Sequence, residues 1–290
     1  MNRFALATLN HQGEEVAALA LEGGYLPLPR TTVKGLLDDW GTAFARLQSL
    51  AEGASAGDLV AREAAHLLTP VKFPNKLIAV GANYKDHLEE MGMSPQKWPT
   101  LPFFFKAPTT AMVGPGKTVI LPKTTRQFDW EIELAVVVGR RLKDAGEAEA
   151  LAGIAGYAVG LDLSCRDLIK VDTPLAVVLV RGKAQDTMSP VGPVLVPAAF
   201  VADPHRLGLR LSVNGVLKQN GNTADMLYSV PEQLGTISRY VTLEPGDVIL
   251  TGSPAGSGAS TGQFLKAGDR ISAEIDQLGV LEVEVVGAAR

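Results

Sequence analysis

Acidic side chains at alternate positions carry the clearest chemical signal in this sequence. Asp129, Glu131 and Glu133 occur in the segment FDWEIELAVVVG, and Asp162 ends a second apolar run in GYAVGLDLSCRD. Apolar residues alternate with the first three acids, which predicts a β-strand with those acids on one face. Carboxylates crowded on a half-buried strand repel one another unless a cation lies between them. Oxygen ligands of this kind suit Mg²⁺, Mn²⁺ or Ca²⁺. The pattern therefore predicts a divalent-cation site, with surface carboxylates paired to Lys or Arg as the alternative.

A short segment after an apolar run at 77–81 combines three functional side chains. In GANYKDHLEE, a helix is predicted over 84–92, where Tyr84, His87 and Glu90 are spaced three apart and share one helix face. A carboxylate beside one imidazole nitrogen fixes the tautomer and raises the basicity of the histidine, as a general base requires. The alternative is a solvated amphipathic helix whose histidine has no chemical role.

Three basic residues are candidates for contact with an anionic substrate. They are Lys106 after three phenylalanines in FFFKAPTT, Arg166 in SCRD, and Lys183 in RGKAQD. The glycine-rich stretch that begins at Thr251 follows an apolar segment and can present backbone N–H groups to an oxyanion. Residues of these types are more often surface or turn residues than ligands, so none of them defines a site alone.

Short β segments, without regular βαβ alternation, dominate the sequence around these residues. Strands are predicted over 77–81, 117–121, 131–138, 155–163, 192–196, 209–213, 216–219, 247–251, 270–275 and 280–286. Asn214-Gly215 predicts a type I′ hairpin, and 3–8 with 15–21 predicts another hairpin near the N-terminus. Helices are predicted over 33–50, 57–67, 146–152 and 230–240. These elements predict an α+β, β-rich fold of the mixed-β roll or sandwich type.

A proline-containing stretch, TPVKFP at 69–74, suggests an extended linker. We place a domain boundary there, with a small α/β domain over 1–70 and the main domain over 71–290.

Length and composition limit the classes of protein that the chain can represent. The 290 residues are enough for a sizeable core, and the formal net charge of −4 argues against a nucleic-acid or anionic-membrane partner. The single cysteine, Cys165, excludes intramolecular disulfides and fits a reducing compartment. No apolar run reaches the ~20 residues that span a bilayer. The expected location is cytoplasmic.

Taken together, these segments resemble the fumarylacetoacetate hydrolase family over about residues 77–285. The resemblance rests on the order and spacing of GANYKDHLEE, FFFKAPTT, FDWEIELAVVVG, GLDLSCRD, DTMSPVGP, VNGVLKQNGNT and LEPGDVILTGSPAG. It implies a mixed-β roll, commonly a homodimer, with Mg²⁺, Mn²⁺ or Ca²⁺ bound by carboxylates. The site residues that it implies are the metal ligands Glu131, Glu133 and Asp162, the water-activating pair His87 and Glu90, the oxyanion-stabilising Lys106, and the substrate-binding Tyr84, Arg166, Lys183 and Thr251.

The resemblance implies an enzyme that hydrolyses a carbon–carbon bond in a 1,3-dicarbonyl keto acid, such as an acylpyruvate or a 2,4-diketo acid from aromatic or sugar-acid catabolism. Decarboxylation of a β-keto acid and isomerisation of a 2-hydroxy-dienoate are alternatives within the family, and a catalytically silent metal-stabilised binding protein is a third. Many members carry Gln where this chain has Ile169. We infer from this departure a substrate that is less polar at that end than the diacids of many relatives.

Overall fold

The computed structural model describes residues 3–174 and 176–288. Its strands are β1 (Ala5–His11), β2 (Glu14–Leu21), β3 (Gly24–Leu28), β4 (His66–Leu68), β5 (Leu77–Val80), β6 (Phe103–Lys106), β7 (Met112–Val113), β8 (Thr118–Leu121), β9 (Phe128–Asp129), β10 (Ile132–Val138), β11 (Ile154–Leu161), β12 (Ser164–Cys165), β13 (Ser189–Pro197), β14 (Gly208–Val213), β15 (Val216–Asn222), β16 (Val248–Leu250), β17 (Arg270–Ile275) and β18 (Gly279–Gly287). Its α-helices are α1 (Val33–Leu37), α2 (Trp40–Gly53), α3 (Lys85–Glu90), α4 (Glu147–Ala152), α5 (Arg166–Ile169), α6 (Leu179–Lys183), α7 (Val230–Tyr240) and α8 (Gly258–Thr261).

These strands form two large sheets and one short ribbon. The larger sheet has the order β3-β2-β1-β13-β11-β10-β16-β5-β6, with β4 added beside β1 and β7 beside β13. The smaller sheet has the order β15-β14-β17-β18-β8, and β9 pairs with β12. Most neighbours are antiparallel, and parallel pairs join β16 to β5, β7 to β13 and β8 to β18. The α+β, β-rich class predicted from the sequence is confirmed.

Strand β10 lies inside the larger sheet and is buried on both faces. Its residues Leu134 and Val136 pack into the core shared with the smaller sheet and helix α7. Ala135 and Val137 pack on the opposite face, in the core shared with helices α1 and α2. Burial of successive residues on opposite faces explains why the acidic segment leads into an uninterrupted apolar run.

The predicted hairpins are confirmed. Strands β1 and β2 pair from Ala5↔Ala20 to His11↔Glu14. Strands β14 and β15 pair around Asn214 and Gly215, whose φ angles of 51° and 78° have the positive sign that a type I′ turn requires.

Two helix predictions need correction. The helix predicted over 57–67 is wrong, because this stretch holds two short 3₁₀ turns and then β4, which pairs with β1. Pairing with an available strand outweighs the weak helical pattern there. The helix predicted over 33–50 is interrupted at residues 38–39 and becomes α1 and α2.

The first seventy residues extend the larger sheet, because Leu6 of β1 pairs with Leu195 of β13. The division into 1–70 and 71–290 stays a prediction. Among the described residues, no helix is long and apolar enough to cross a membrane.

The centre of the larger sheet gives a test of its close strand packing. A Cβ on Gly156 of β11 would lie 2.2 Å from the carbonyl oxygen of Val196 in β13. Because backbone must shift to admit it, we expect Gly156→Ala to lower the free energy of unfolding by about 1–3 kcal/mol. The matched control is Gly57→Ala, where no atom lies within 4 Å of the added Cβ. Urea denaturation of both variants checks this, and equal stability would contradict it.

Candidate active site

The predicted acidic cluster forms where strands β10 and β11 meet. Glu131 directly precedes β10, and Glu133 is the second residue of that strand. Asp162 follows the last residue of β11, whose Leu161 pairs with Ile132. Antiparallel pairing therefore brings acids from two distant segments to one point. One ligand oxygen from each of Glu131, Glu133 and Asp162 lies within 4.8 Å of the others, and all three residues are buried.

Basic side chains compensate part of this buried charge. The Lys183 ammonium donates to Glu131 at 2.7 Å and also to Asp162. Lys106 donates to Asp162 and, at 3.3 Å, to the Met188 carbonyl oxygen. All of these partners are buried, so each charge depends on the others for the solvation that water no longer supplies.

Glu133 is the carboxylate with the fewest partners in this cluster. It accepts one hydrogen bond, from the Gly252 amide at 2.8 Å. Burial, followed by repulsion from Asp162 and Glu131, raises the pKa of Glu133 well above its ordinary value. A divalent cation among the three carboxylates would remove this repulsion, and the all-oxygen donor set suits a hard cation. The residues therefore fit the predicted metal.

Asp129 has a different set of partners from the three clustered acids. Its carboxylate accepts from the amides of Gly258 at 2.6 Å and Ala259 at 3.0 Å, and from Arg166 Nε at 2.8 Å. Burial raises the pKa of Asp129, although Arg166 opposes that shift. Asp129 thus joins the acidic segment to α8 and orients Arg166.

Arg166 connects Asp129 to the cluster. Its Nη2 lies 2.5 Å from Glu131 Oε1, an ion-pair distance. A guanidinium has five N–H donors. The contacts to Asp129 and Glu131 use two of them, so Arg166 still has donors beside the carboxylates.

His87 and Glu90 form the predicted pair on α3. His87 Nδ1 lies 3.0 Å from Glu90 Oε2, which favours the tautomer protonated at Nδ1 and leaves Nε2 as the base. Glu90 accepts from the Gly256 amide at 2.8 Å and from the Ser257 hydroxyl at 3.0 Å. Burial alone would raise the pKa of Glu90, but hydrogen bonds from His87, Ser260, Gly256 and Ser257 outweigh it and lower the pKa to about 2.

His87 of the pair and two acids of the cluster, Glu131 and Glu133, line one cavity of about 290 Å³. The residues that line it are Val80, Gly81, Ala82, His87, Met91, Trp98, Pro102, Phe103, Phe104, Glu131, Glu133, Arg166, Ile169, Leu179, Lys183 and Ser253. A larger cavity of about 640 Å³ lies against β1, β2 and the end of α2, and its single acidic lining residue is Glu22. We place the candidate active site in the smaller cavity because titratable groups converge there.

Besides Glu90, three residues that the sequence analysis assigned to catalysis or substrate contact are not among the residues that line the cavity. Tyr84 is fully buried at the N-terminus of α3. The Thr251 hydroxyl donates to the Leu134 carbonyl oxygen at 2.9 Å. Lys106 is buried against Asp162. The structure thus brings these side chains next to the site but not among its lining residues.

Sequence reasoning did not assign a role to the residues that hold Glu90. Gly256 and Ser257 belong to the glycine-rich stretch after β16, about 165 residues from Glu90 in the chain. The only signal for them was the anion-binding character of that stretch.

The lowered pKa of Glu90 predicts an acid-dependent loss of stability. Because the folded-state pKa is about 2 and the ordinary value is 4.5, the carboxylate stabilises the fold fully above pH 4.5 and progressively less as the pH falls towards 2. We expect Glu90→Gln to be less stable than wild type by up to roughly 3 kcal/mol at neutral pH, with the gap closing below pH 4.5. Urea denaturation from pH 7 to 3 measures the gap. The control is Glu89→Gln, an exposed acid on the same helix, and a gap independent of pH would contradict the assignment.

Comparisons with known proteins agree with this fold. Residues 76–286 match the fumarylacetoacetate (FAA) hydrolase C-terminal domain. The mitochondrial oxaloacetate tautomerase FAHD2B of Bos taurus is 39% identical over 261 residues, which cover 89% of this chain and 81% of that protein.

Two solved structures have the same fold over nearly their whole length. Maleylpyruvate hydrolase from Sphingobium sp. SYK-6, in complex with manganese(II) ion and pyruvate, has a TM-score of 0.80 and 29% identity, and the match covers 98% of this chain and 100% of that one. The 2-hydroxyhepta-2,4-diene-1,7-dioate isomerase from Mycobacterium marinum has a TM-score of 0.76 and 30% identity, with 99% and 100% coverage. The chain belongs to the fumarylacetoacetate hydrolase family.

Proposed function

We propose that the chain is a divalent-metal-dependent hydrolase that cleaves a carbon–carbon bond in a 1,3-dicarbonyl acid of the acylpyruvate or 2,4-diketo acid type. The observation that carries this proposal is that one cavity is lined both by Glu131 and Glu133, which cluster with Asp162, and by His87, which pairs with Glu90. The first group suits a metal, and the second suits the activation of water. The proposed hydrolysis uses both.

Glu131, Glu133 and Asp162 would hold the metal, for which Mg²⁺ or Mn²⁺ is proposed and Ca²⁺ is the alternative. When bound, such a cation supplies Lewis acidity that stabilises negative charge on a 2-oxo acid. The Sphingobium maleylpyruvate hydrolase, whose structure contains manganese and pyruvate, supports a metal and a 2-oxo acid as ligands of this fold.

His87 would act as the general base. Glu90 holds Nδ1, so Nε2 is free to take a proton from a water molecule in the cavity. The water would add to the carbonyl carbon distant from the carboxylate. Breakage of the adjacent carbon–carbon bond then releases an acid and the enolate of a 2-oxo acid, which is protonated to complete the reaction.

Arg166 and Lys183 would hold the oxygens of the substrate, because both line the cavity. The guanidinium N–H donors of Arg166 that Asp129 and Glu131 do not use suit the substrate carboxylate. For Lys106, Tyr84 and Thr251 we propose support from behind the wall: Lys106 fixes Asp162, and Thr251 fixes the loop that follows β16.

Tautomerisation is the second candidate function, and a specific observation favours it. The Bos taurus relative that is 39% identical is an oxaloacetate tautomerase. The same base could move a proton between carbon and oxygen of an enolisable keto acid without water attack. Decarboxylation of a β-keto acid, the other alternative within the family, would use the same cavity.

A homodimer in the cytoplasm, acting in aromatic or sugar-acid catabolism, completes the proposal. The family resemblance supports the dimer. The name of the Bos taurus relative places that protein in mitochondria. The cellular location of this chain is therefore to be measured in the organism that makes it.

Loss of a metal ligand tests the cluster. We expect Glu133→Gln to weaken Mn²⁺ binding at least about tenfold, because a neutral amide replaces a carboxylate at a buried site. Calorimetric titration of the purified protein with Mn²⁺ measures this. Glu147→Gln, an exposed acid at the start of α4, is the control. Equal affinity in the two variants would refute the metal assignment.

Isotope-labelled water tests the hydrolase function. With Mg²⁺ or Mn²⁺ in H₂¹⁸O, 2,4-dioxopentanoate should yield pyruvate and acetate, with one ¹⁸O entering the acetate. We expect His87→Ala to lower kcat at least about 100-fold while leaving Mn²⁺ affinity nearly unchanged. The exposed His66→Ala is the control.

The outcomes of that experiment separate the candidates. Proton exchange without cleavage would favour the tautomerase, and labelled acetate would exclude tautomerisation as the sole reaction. Metal binding without turnover of any keto acid would favour a binding protein. A collapse of Mn²⁺ affinity in His87→Ala would show that His87 acts on the metal site and not as the base.

A further inference from the structure

The cavity that holds the candidate site has two chemically different ends. Glu131, Glu133 and Lys183 are at most 8% exposed and form its inner end. Met91 and Trp98 are 40% and 36% exposed and so lie towards solvent. A substrate whose keto-acid end reaches the carboxylates must therefore direct its other end along the outer residues.

The outer wall is apolar and comes from three segments of the chain. Met91 follows α3, and Trp98 precedes Phe103 and Phe104 of β6. Ile169 of α5 and Leu179 of α6 complete this wall. We call Met91, Trp98, Phe103, Phe104, Ile169 and Leu179 the outer wall.

Close packing fixes Ile169 in the outer wall. A Cβ added to Gly182 of α6 would lie 2.3 Å from Ile169 Cγ1. The isoleucine side chain thus occupies the space that the glycine leaves, and α5 and α6 hold it beside Lys183.

The cationic lining residues already have anionic partners at the inner end. Lys183 pairs with Glu131 and Asp162, and Arg166 pairs with Asp129 and Glu131. The buried Nη2 atom of Arg166 lies 2.5 Å from a Glu131 oxygen, which places that atom at the inner end as well.

The cavity can therefore satisfy one substrate carboxylate, at its inner end. No member of the outer wall is cationic or carries a side-chain amide, and its one polar side-chain group is the indole N–H of Trp98. A second carboxylate there would lose water and gain at most that one neutral side-chain donor, which is costly. An alkyl or aryl group would instead be stabilised by contact with the wall.

We propose that the preferred substrate is a monocarboxylic 2-oxo acid with an apolar alkyl or aryl group at its far end, and that the outer wall discriminates against dicarboxylic analogues. This inference rests on the proposed function for the chemistry and adds the substrate class. The volume of about 290 Å³ is near the lower end of small-molecule sites, which suits a short chain or a single ring.

Two ligands of equal chain length test the proposal by binding alone. 2-Oxohexanoate ends in a methyl group where 2-oxoadipate ends in a carboxylate. We expect the Mn²⁺-loaded protein to bind 2-oxohexanoate at least about tenfold more tightly, measured by calorimetry. Equal affinities, tighter binding of 2-oxoadipate, or no binding of either ligand would overturn the proposal.

A charge placed on the wall should change this preference. Ile169→Lys is expected to shift the ratio of affinities at least about tenfold towards 2-oxoadipate, since the new ammonium pairs with its far carboxylate. Val180→Lys is the matched control: Val180 is 63% exposed on the neighbouring helix and does not line the cavity. An equal shift in both variants would show a general charge effect and overturn the role of the wall.

Turnover separates this proposal from the proposed function. Comparison of kcat/KM for 4-phenyl-2,4-dioxobutanoate and maleylpyruvate should favour the phenyl compound. Faster hydrolysis of maleylpyruvate would overturn the substrate class and leave the hydrolase function standing. Failure to cleave either compound, together with tighter binding of 2-oxohexanoate, would overturn the hydrolase function and support the role of the outer wall in ligand selection.

Discussion

The burial of charged side chains away from water is the constraint on which the rest of this structure depends. Asp129, Glu131, Glu133 and Asp162 are at most 4% exposed. Isolated carboxylates would not stay ionised in such positions, so cations must be supplied from other parts of the chain. β6 supplies Lys106, α5 supplies Arg166 and α6 supplies Lys183. These ion pairs link the short helices α5 and α6 to the sheet.

The same constraint connects the base to the rest of the site. Glu90 is anchored by backbone and hydroxyl donors of residues 256–257, and Asp129 by the amides of residues 258–259. One glycine-rich segment thus holds the carboxylate that orients His87 and the carboxylate that orients Arg166. Alignment of the base and alignment of the substrate-binding guanidinium depend on a single piece of backbone.

Local sequence patterns were sufficient for much of the fold and for the cluster. The alternation in FDWEIELAVVVG marked β10, and Asn214-Gly215 marked the hairpin of β14 and β15. The stretch at 57–67 was misjudged because its conformation depends on pairing with β1, which no local pattern reveals. Likewise the wall residues Met91 and Trp98, and the Glu90 anchors at 256–257, meet the site only through tertiary contacts. The alternation of Asp129, Glu131 and Glu133 could be seen in the sequence, whereas the break between β9 and β10 and the distinct partners of each acid could not.

The outer wall and the acidic cluster differ in how strongly the fold constrains them. The acids lie at the ends of β10 and β11, inside a sheet where nearly every neighbour is buried. The wall comes from segments beside that sheet, and its members are exposed or half-buried. On average, a substitution in the wall therefore costs less folding free energy than one among the acids. The fold thus allows substrate fit to be altered at residues 91–104, 169 and 179 separately from the groups that carry the chemistry.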